Sequence, residues 1–158
     1  MTVRLTQVAE GSPVGFDALK ADAEIDGHLH IGRLAMEIEN TPTMFHAIFA
    51  AYVDDRLVGI GAITSEPCPT PEPALRMRRF YVGREFRRRG VARMLASALL
   101  METSGKVRFV TVHAGSEQAA LFWQKIGFRP DPGNQWTHIF DNAIRSARRP
   151  SNISLTAP

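Results

Sequence analysis

A chain of 158 residues has room for one domain with a single core, and 44% hydrophobic and 22% charged residues are ordinary for a soluble globular protein. No apolar run approaches the roughly 20 residues of a membrane helix, and the first residues lack the pattern of a signal peptide. A lone cysteine, Cys68, excludes an intrachain disulfide and a Cys-rich metal site, so a cytoplasmic enzyme or binding domain is expected.

In chain order, residues 3–8 alternate as a first strand. Residues 16–24 and 31–39 carry apolar side chains at helical spacing (Phe16, Leu19, Ala23; Ile31, Leu34, Ala35, Ile38), separated by Gly27-His28 and closed by Thr41-Pro42. Residues 44–53 and 57–63 form a hairpin about Asp54-Asp55, and residues 65–73, with four prolines, form a loop. A strand over 75–82 leads through a basic turn into a helix over 91–101. A buried strand follows at 107–112, then a helix over 117–126 with Ser116 as its cap and Gly127 as its stop. Residues 137–140 make a last short strand, and residues 141–158 read as a loosely attached tail behind a domain of residues 1–140. Without repeat or second domain, the order β-α-α-β-β-β-α-β-α-β predicts an α/β or α+β sheet with helices on both faces.

The charge is uneven. Residues 76–93 hold eight arginines and one acid, Glu85, a local charge of +7 within a net of +3. Within this strip lies Phe86-Arg87-Arg88-Arg89-Gly90-Val91-Ala92-Arg93, between the aromatic strand end Phe80-Tyr81-Val82 and the amphipathic stretch 94–101. The first turn of a helix offers unpaired N–H groups and the positive end of the dipole. Gly90 lets backbone approach a ligand closely. The strip therefore predicts a phosphate or pyrophosphate seat. Nucleic-acid binders more often spread charge along a face with stacking aromatics, and the acidic remainder of the chain argues against one here.

The stretch Arg87-Arg88-Arg89-Gly90-Val91-Ala92 resembles the Gln/Arg-x-x-Gly-x-Gly/Ala cofactor motif of the Gcn5-related N-acetyltransferases. Residues 119–128, Ala-Ala-Leu-Phe-Trp-Gln-Lys-Ile-Gly-Phe, are similar to that family's Ala-x-x-Phe-Tyr-x-x-x-Gly-Phe signature, and the element order agrees from about residue 3 to 140. The resemblance implies acetyl-CoA as cofactor and transfer of an acetyl group to an amine. It also implies a mixed, mostly antiparallel sheet in which a bulge splays strand 4 from strand 5, with pantetheine in the gap. By the same resemblance, the backbone of Phe80, Tyr81 and Val82 would meet the pantetheine. N–H groups of residues 87–92 would hold the pyrophosphate, and the side chains of Arg87, Arg88, Arg89 and Arg93 would add charge-assisted bonds.

The chemistry makes three demands. The amine, with an ordinary pKa near ~10, must lose a proton; the oxyanion needs a donor, for which the N–H near Val82 is the natural choice; the thiolate can be helped by an acid. Where relatives place a tyrosine acid stands Trp123, whose indole donates a hydrogen bond but not its proton; it is a candidate to pack against the cofactor sulfur, although a core aromatic is the favoured reading. Ser116 is a candidate catalytic hydroxyl and cofactor contact, although capping is its favoured role. For the base, relatives with a strand-5 glutamate correspond to Thr111 here. His113, two residues on and so on the same face, is the first choice. Glu37, Glu39 and His138 are runners-up. No metal site is expected, since His28-x-His30 lacks a third ligand; Gly59-Ile60-Gly61 is no dinucleotide fingerprint, because it sits inside a strand with no helix after it, and no histidine or acid flanks Cys68 to make it a nucleophile.

The leading expectation is an acetyltransferase acting on a small-molecule or peptide amine. The alternatives are a cofactor-binding module with little catalysis and, against the charge balance, an enzyme of aminoacyl-tRNA. Glu24, Asp26, Glu37 and Glu39 mildly favour a cationic acceptor. A homodimer formed through residues 137–140 or the tail is left open.

Overall fold

The computed structural model describes residues 1–147. Seven strands form one sheet in the order β1-β2-β3-β4-β5-β7-β6: β1 Arg4–Gln7, β2 Phe45–Val53, β3 Arg56–Ser65, β4 Ala74–Val82, β5 Phe109–Val112, β6 Arg129–Pro130 and β7 His138–Asp141. Only β4 and β5 run parallel; every other neighbour is antiparallel. The connection between the parallel pair is helix α3 (Val91–Thr103), as a parallel crossover requires.

Helices α1 (Phe16–Ile25) and α2 (His30–Asn40) cover one face of the sheet. Phe16, Leu19, Ile31 and Leu34 pack there on Ile48, Ile60, Ala62 and Tyr81. The other face carries α3 and α4 (Glu117–Ile126). Leu95, Ala96, Leu99 and Leu100 recur at helical spacing and are buried, while Met94 and Met101 on the opposite side of α3 are exposed. Ser116 caps α4 by accepting the N–H of Ala119 at 3.1 Å, and Gly127, at φ 124°, ends it.

Two expectations need correction. A two-residue strand, β6, follows α4; it is too short to leave a periodic signal. The domain does not stop at residue 140. Asp141 completes β7, pairs with Arg108 at 3.2 Å and caps the short helix α5 (Asn142–Ala147) by accepting the N–H of Ala143. The Asn142 amide is buried and donates to Thr103 Oγ1 and the Val107 carbonyl. The remainder of the expected tail, 148–158, lies outside the described residues. β7 pairs with β5 along its length and with β6 at His138 and Ile139.

Candidate active site

Strands β4 and β5 are paired from Ala74–Phe109 to Met77–Val112, and there the ladder ends. Residues 78–82 of β4 run on without a β5 partner, while beyond Val112 the other arm is held by Thr137, whose N–H donates to the Val112 carbonyl and whose Oγ1 accepts from Ala114 N–H. The two arms form a fork. Its cause is a bulge: Ile60 pairs with Tyr81 and Ala62 with Arg78, so Arg79 and Phe80 together oppose Gly61. Arg79 takes the left-handed conformation, φ 53°. A Cβ on Gly61 would lie 2.8 Å from the Phe80 ring and 2.9 Å from Leu99 Cδ1, so only glycine admits the displaced ring. The bulge was legible as a phase slip, since apolar residues alternate at Leu75 and Met77 and then at Phe80 and Val82, with two arginines between.

Gly83 N–H donates to Val58 O on β3, so residue 82 turns its own N–H and carbonyl towards the fork. The chain then makes a short turn at Arg84–Phe86 and passes through Arg88 at φ 63° and Gly90 at φ 85° before entering α3. No side chain caps α3, which leaves its first N–H groups and those of the left-handed turn free to converge on an anion. A Cβ at Gly90 would meet nothing within 4 Å; its backbone angle, rather than crowding, calls for glycine.

Of the four arginine side chains expected at the phosphates, Arg87 points elsewhere. Its guanidinium bonds the Val82 carbonyl at 3.0 Å and the Asp26 carboxylate, and lies over the Tyr81 ring. Arg84 also reaches Asp26, at 2.5 Å. Hydrogen bonds first from Arg84 and then from Arg87 hold the Asp26 carboxyl down at about 2. Sequence reasoning placed Asp26 only in an acidic patch; no local spacing links it to residues 58 and 61 positions away. Arg88, Arg89 and Arg93 are exposed, with Arg89 over the Phe86 ring.

On the α1–α2 face a second group assembles, also missed in sequence. Glu66, with its side chain 1% exposed, binds Arg76 through two bonds of 2.8 Å, accepts the Thr111 hydroxyl and takes the N–H of Cys68. Glu37 binds Arg79 in the same bidentate way, at 2.7 and 2.9 Å. That bond lowers the Glu37 carboxyl against the opposing effect of burial, so it is no general base. His28 stacks against Tyr81 with ring centroids 5.0 Å apart and faces His30 at 5.8 Å. Burial, with the His28, Arg79 and Arg33 charges behind it, lowers the His30 pKa and keeps that ring neutral.

The remaining expected residues separate. Thr111 is buried and committed to Glu66. His113 follows the end of β5 at the fork and is exposed. His138 is buried on the opposite face, between Gln124 of α4 and Thr137, and is remote in direction from the α1–α2 side. Glu39 is exposed at the end of α2. Trp123 is 4% exposed and packs edge-on against Phe80, Phe122 and Phe128, at centroid distances of 5.0, 4.8 and 5.2 Å.

A sheet forked after a bulged fourth strand, with an uncapped helix at the open end of that strand, is an architecture this chain shares with acetyltransferase domains. Residues 31–138 match the family model described as an acetyltransferase (GNAT) domain, and the chain belongs to that family. Solved structures agree in fold. A protein of Exiguobacterium sp. 255-15 assigned as an acetyltransferase is 22% identical, with a TM-score of 0.82 over 94% of this chain and all of that one. A mutant of the toxin AtaT bound to the C-terminus of the antitoxin AtaR and acetyl-CoA is 13% identical, with a TM-score of 0.68 over 93% and 97% of the two chains. A KacTA–DNA complex gives 16% identity and a TM-score of 0.65 over 92% and 97%. No curated protein matches the sequence.

Proposed function

We propose that this chain is an N-acetyltransferase that moves an acetyl group from acetyl-CoA to an amine by direct attack on the thioester. The observation that carries this reading is the single strip of chain from the fork at Met77–Val112 to the left-handed turn at Gly90, which offers the N–H of Val82, whose carbonyl Arg87 holds, and then free N–H groups at the foot of α3. Acetyl-CoA, when bound, supplies the activated acetyl group. Phe80, Tyr81 and Val82 then border its arm, and the Val82 N–H faces the position of a developing oxyanion. N–H groups of residues 87–92 surround the pyrophosphate, with the exposed Arg88, Arg89 and Arg93 completing the charge.

His113, exposed where β5 leaves the ladder, takes the proton of the incoming ammonium. Ser116 spends its oxygen on the helix cap, and Trp123 forms the aromatic wall behind Phe80 rather than an acid. A thiol leaving group with an ordinary pKa near ~8.5 departs without one. Four of the eight strip arginines (76, 79, 84 and 87) are tied to carboxylates, which favours an internal role over a nucleic-acid surface.

Calorimetry with acetyl-CoA beside a thiol-release assay on amines, amino acids, polyamines and peptides tests the proposal. Binding with turnover of one amine class is expected. Binding without turnover leaves a cofactor-sensing module, and absence of binding removes the proposal altogether.

A further inference from the structure

Arg78 is the first β4 residue beyond the last β5 pair, so it stands in the crotch of the fork. Its register partner on β3 is Ala62, which packs under α1 and α2, so the Arg78 side chain belongs to that face and not to the α3 face. Its two basic neighbours there are each matched by a carboxylate. Arg76 is clamped by Glu66 and Arg79 by Glu37, both through two short bonds. Among the described residues no carboxylate lies within 4 Å of Arg78. Three arginines against two carboxylates leave one positive charge, on a half-buried guanidinium with no acidic partner.

A desolvated cation without a counter-ion is costly, and evolution normally supplies one or removes the charge. Burial and the neighbouring Arg79 charge both lower the Arg78 pKa, and Glu37 only partly offsets them. That leaves the Arg78 guanidinium open to a partner from outside the protein. The planar guanidinium suits a two-oxygen anion in bidentate contact.

We infer that the acceptor is a small amine that also carries a carboxylate, and that Arg78 binds this carboxylate and so orients the amine at the fork. The inference rests on the acetyltransferase reading and names its substrate class. It reverses the expectation of a cationic acceptor. Of the acidic residues behind that expectation, Glu37 and Asp26 are already neutralised by arginines, and Glu39 lies exposed at the end of α2.

The test compares amino acids with their carboxamides, which share the amine and lose only the charge. Thiol release with the unmodified protein should give a kcat/KM higher for the acid by roughly ten- to a hundredfold, the range of one charge-assisted pair. The acid-to-amide ratio should fall to near one in Arg78→Gln and lie between in Arg78→Lys, which keeps the charge and loses the fork. Phosphate-bearing amines preferred over both would replace the carboxylate with another anion and overturn the proposal as stated. An unmodified protein preferring amides or polyamines overturns it without any variant. If acetyl-CoA binds but nothing turns over, the enzymatic reading fails and the Arg78 proposal is decided separately. Calorimetric binding of N-acetyl amino acids over their amides, lost in Arg78→Gln, would sustain the carboxylate site, and equal or absent binding would reject it.

Discussion

Gly61 shows how much a single missing methyl group decides. Opposite the bulge, its hydrogen leaves the space into which Phe80 and Leu99 press, and an added Cβ would come within 2.8 and 2.9 Å of them. Neither neighbour has free room, because Leu99 is fully buried and Phe80 is packed on Phe122 and Trp123. Gly61→Ala should therefore lower the unfolding free energy by about 1–3 kcal/mol, the ordinary cost of overpacking a core. Urea titration followed by tryptophan fluorescence measures it, and a variant as stable as the parent would show that the ring can move aside. The two positions with left-handed arginines, 79 and 88, lie at the bulge and in the turn that leads into α3. Strain in non-glycine backbone collects at functional places.

At the scale of elements, Asp26 joins the end of α1 to the basic turn before α3. Its carboxylate receives Arg84, Arg87 and the Tyr81 hydroxyl. Because its pKa is depressed from 3.8 to about 2, the stabilisation is complete above pH 4 and is lost as the pH falls through 2. Asp141 and Glu37, also lowered by arginine partners, add to acid sensitivity in the same direction. Asp26→Asn should thus be less stable than the parent at pH 6, with the difference shrinking towards pH 2; urea midpoints across that range check it, and a difference independent of pH would mean that the charge contributes nothing. The clasp was not legible in the sequence, since pairing across the sheet face depends on where α1 ends. The turn into α3 was legible, because Gly90 and the amphipathic spacing of α3 are local. The same contrast holds for Ser116 and Glu66. A cap announces itself three residues before the N–H it satisfies, whereas Glu66 acquires meaning only when β3, β4 and β5 bring Arg76 and Thr111 beside it.

Across the whole molecule, the sheet separates two layers with different work. The α3–α4 side holds the left-handed turn into α3 and an aromatic core around Trp123; the α1–α2 side holds the Glu66–Arg76 and Glu37–Arg79 pairs and Arg78. Helices on both faces followed from the element order and the buried stripes of α1, α2 and α3. The phase slip between Met77 and Phe80 foreshadowed the fork, but the count that opens it, two residues against Gly61, shows only once β3 and β4 are paired.

That count has a consequence of parity. Before the bulge, even-numbered residues of β4 (Arg76, Arg78) face α1–α2 and odd ones (Leu75, Met77) face α3–α4; after it, Phe80 and Val82 face α3 while Tyr81 faces α1–α2. Removing Arg79 would therefore leave a strand of unbroken alternation with every other side chain still on its own face. Neither core needs the extra residue. A chain lacking Arg79 should still unfold cooperatively, while calorimetry should find that it no longer binds CoA. The odd residue is kept for the opening it forces, and an ordinary strand lies one codon away.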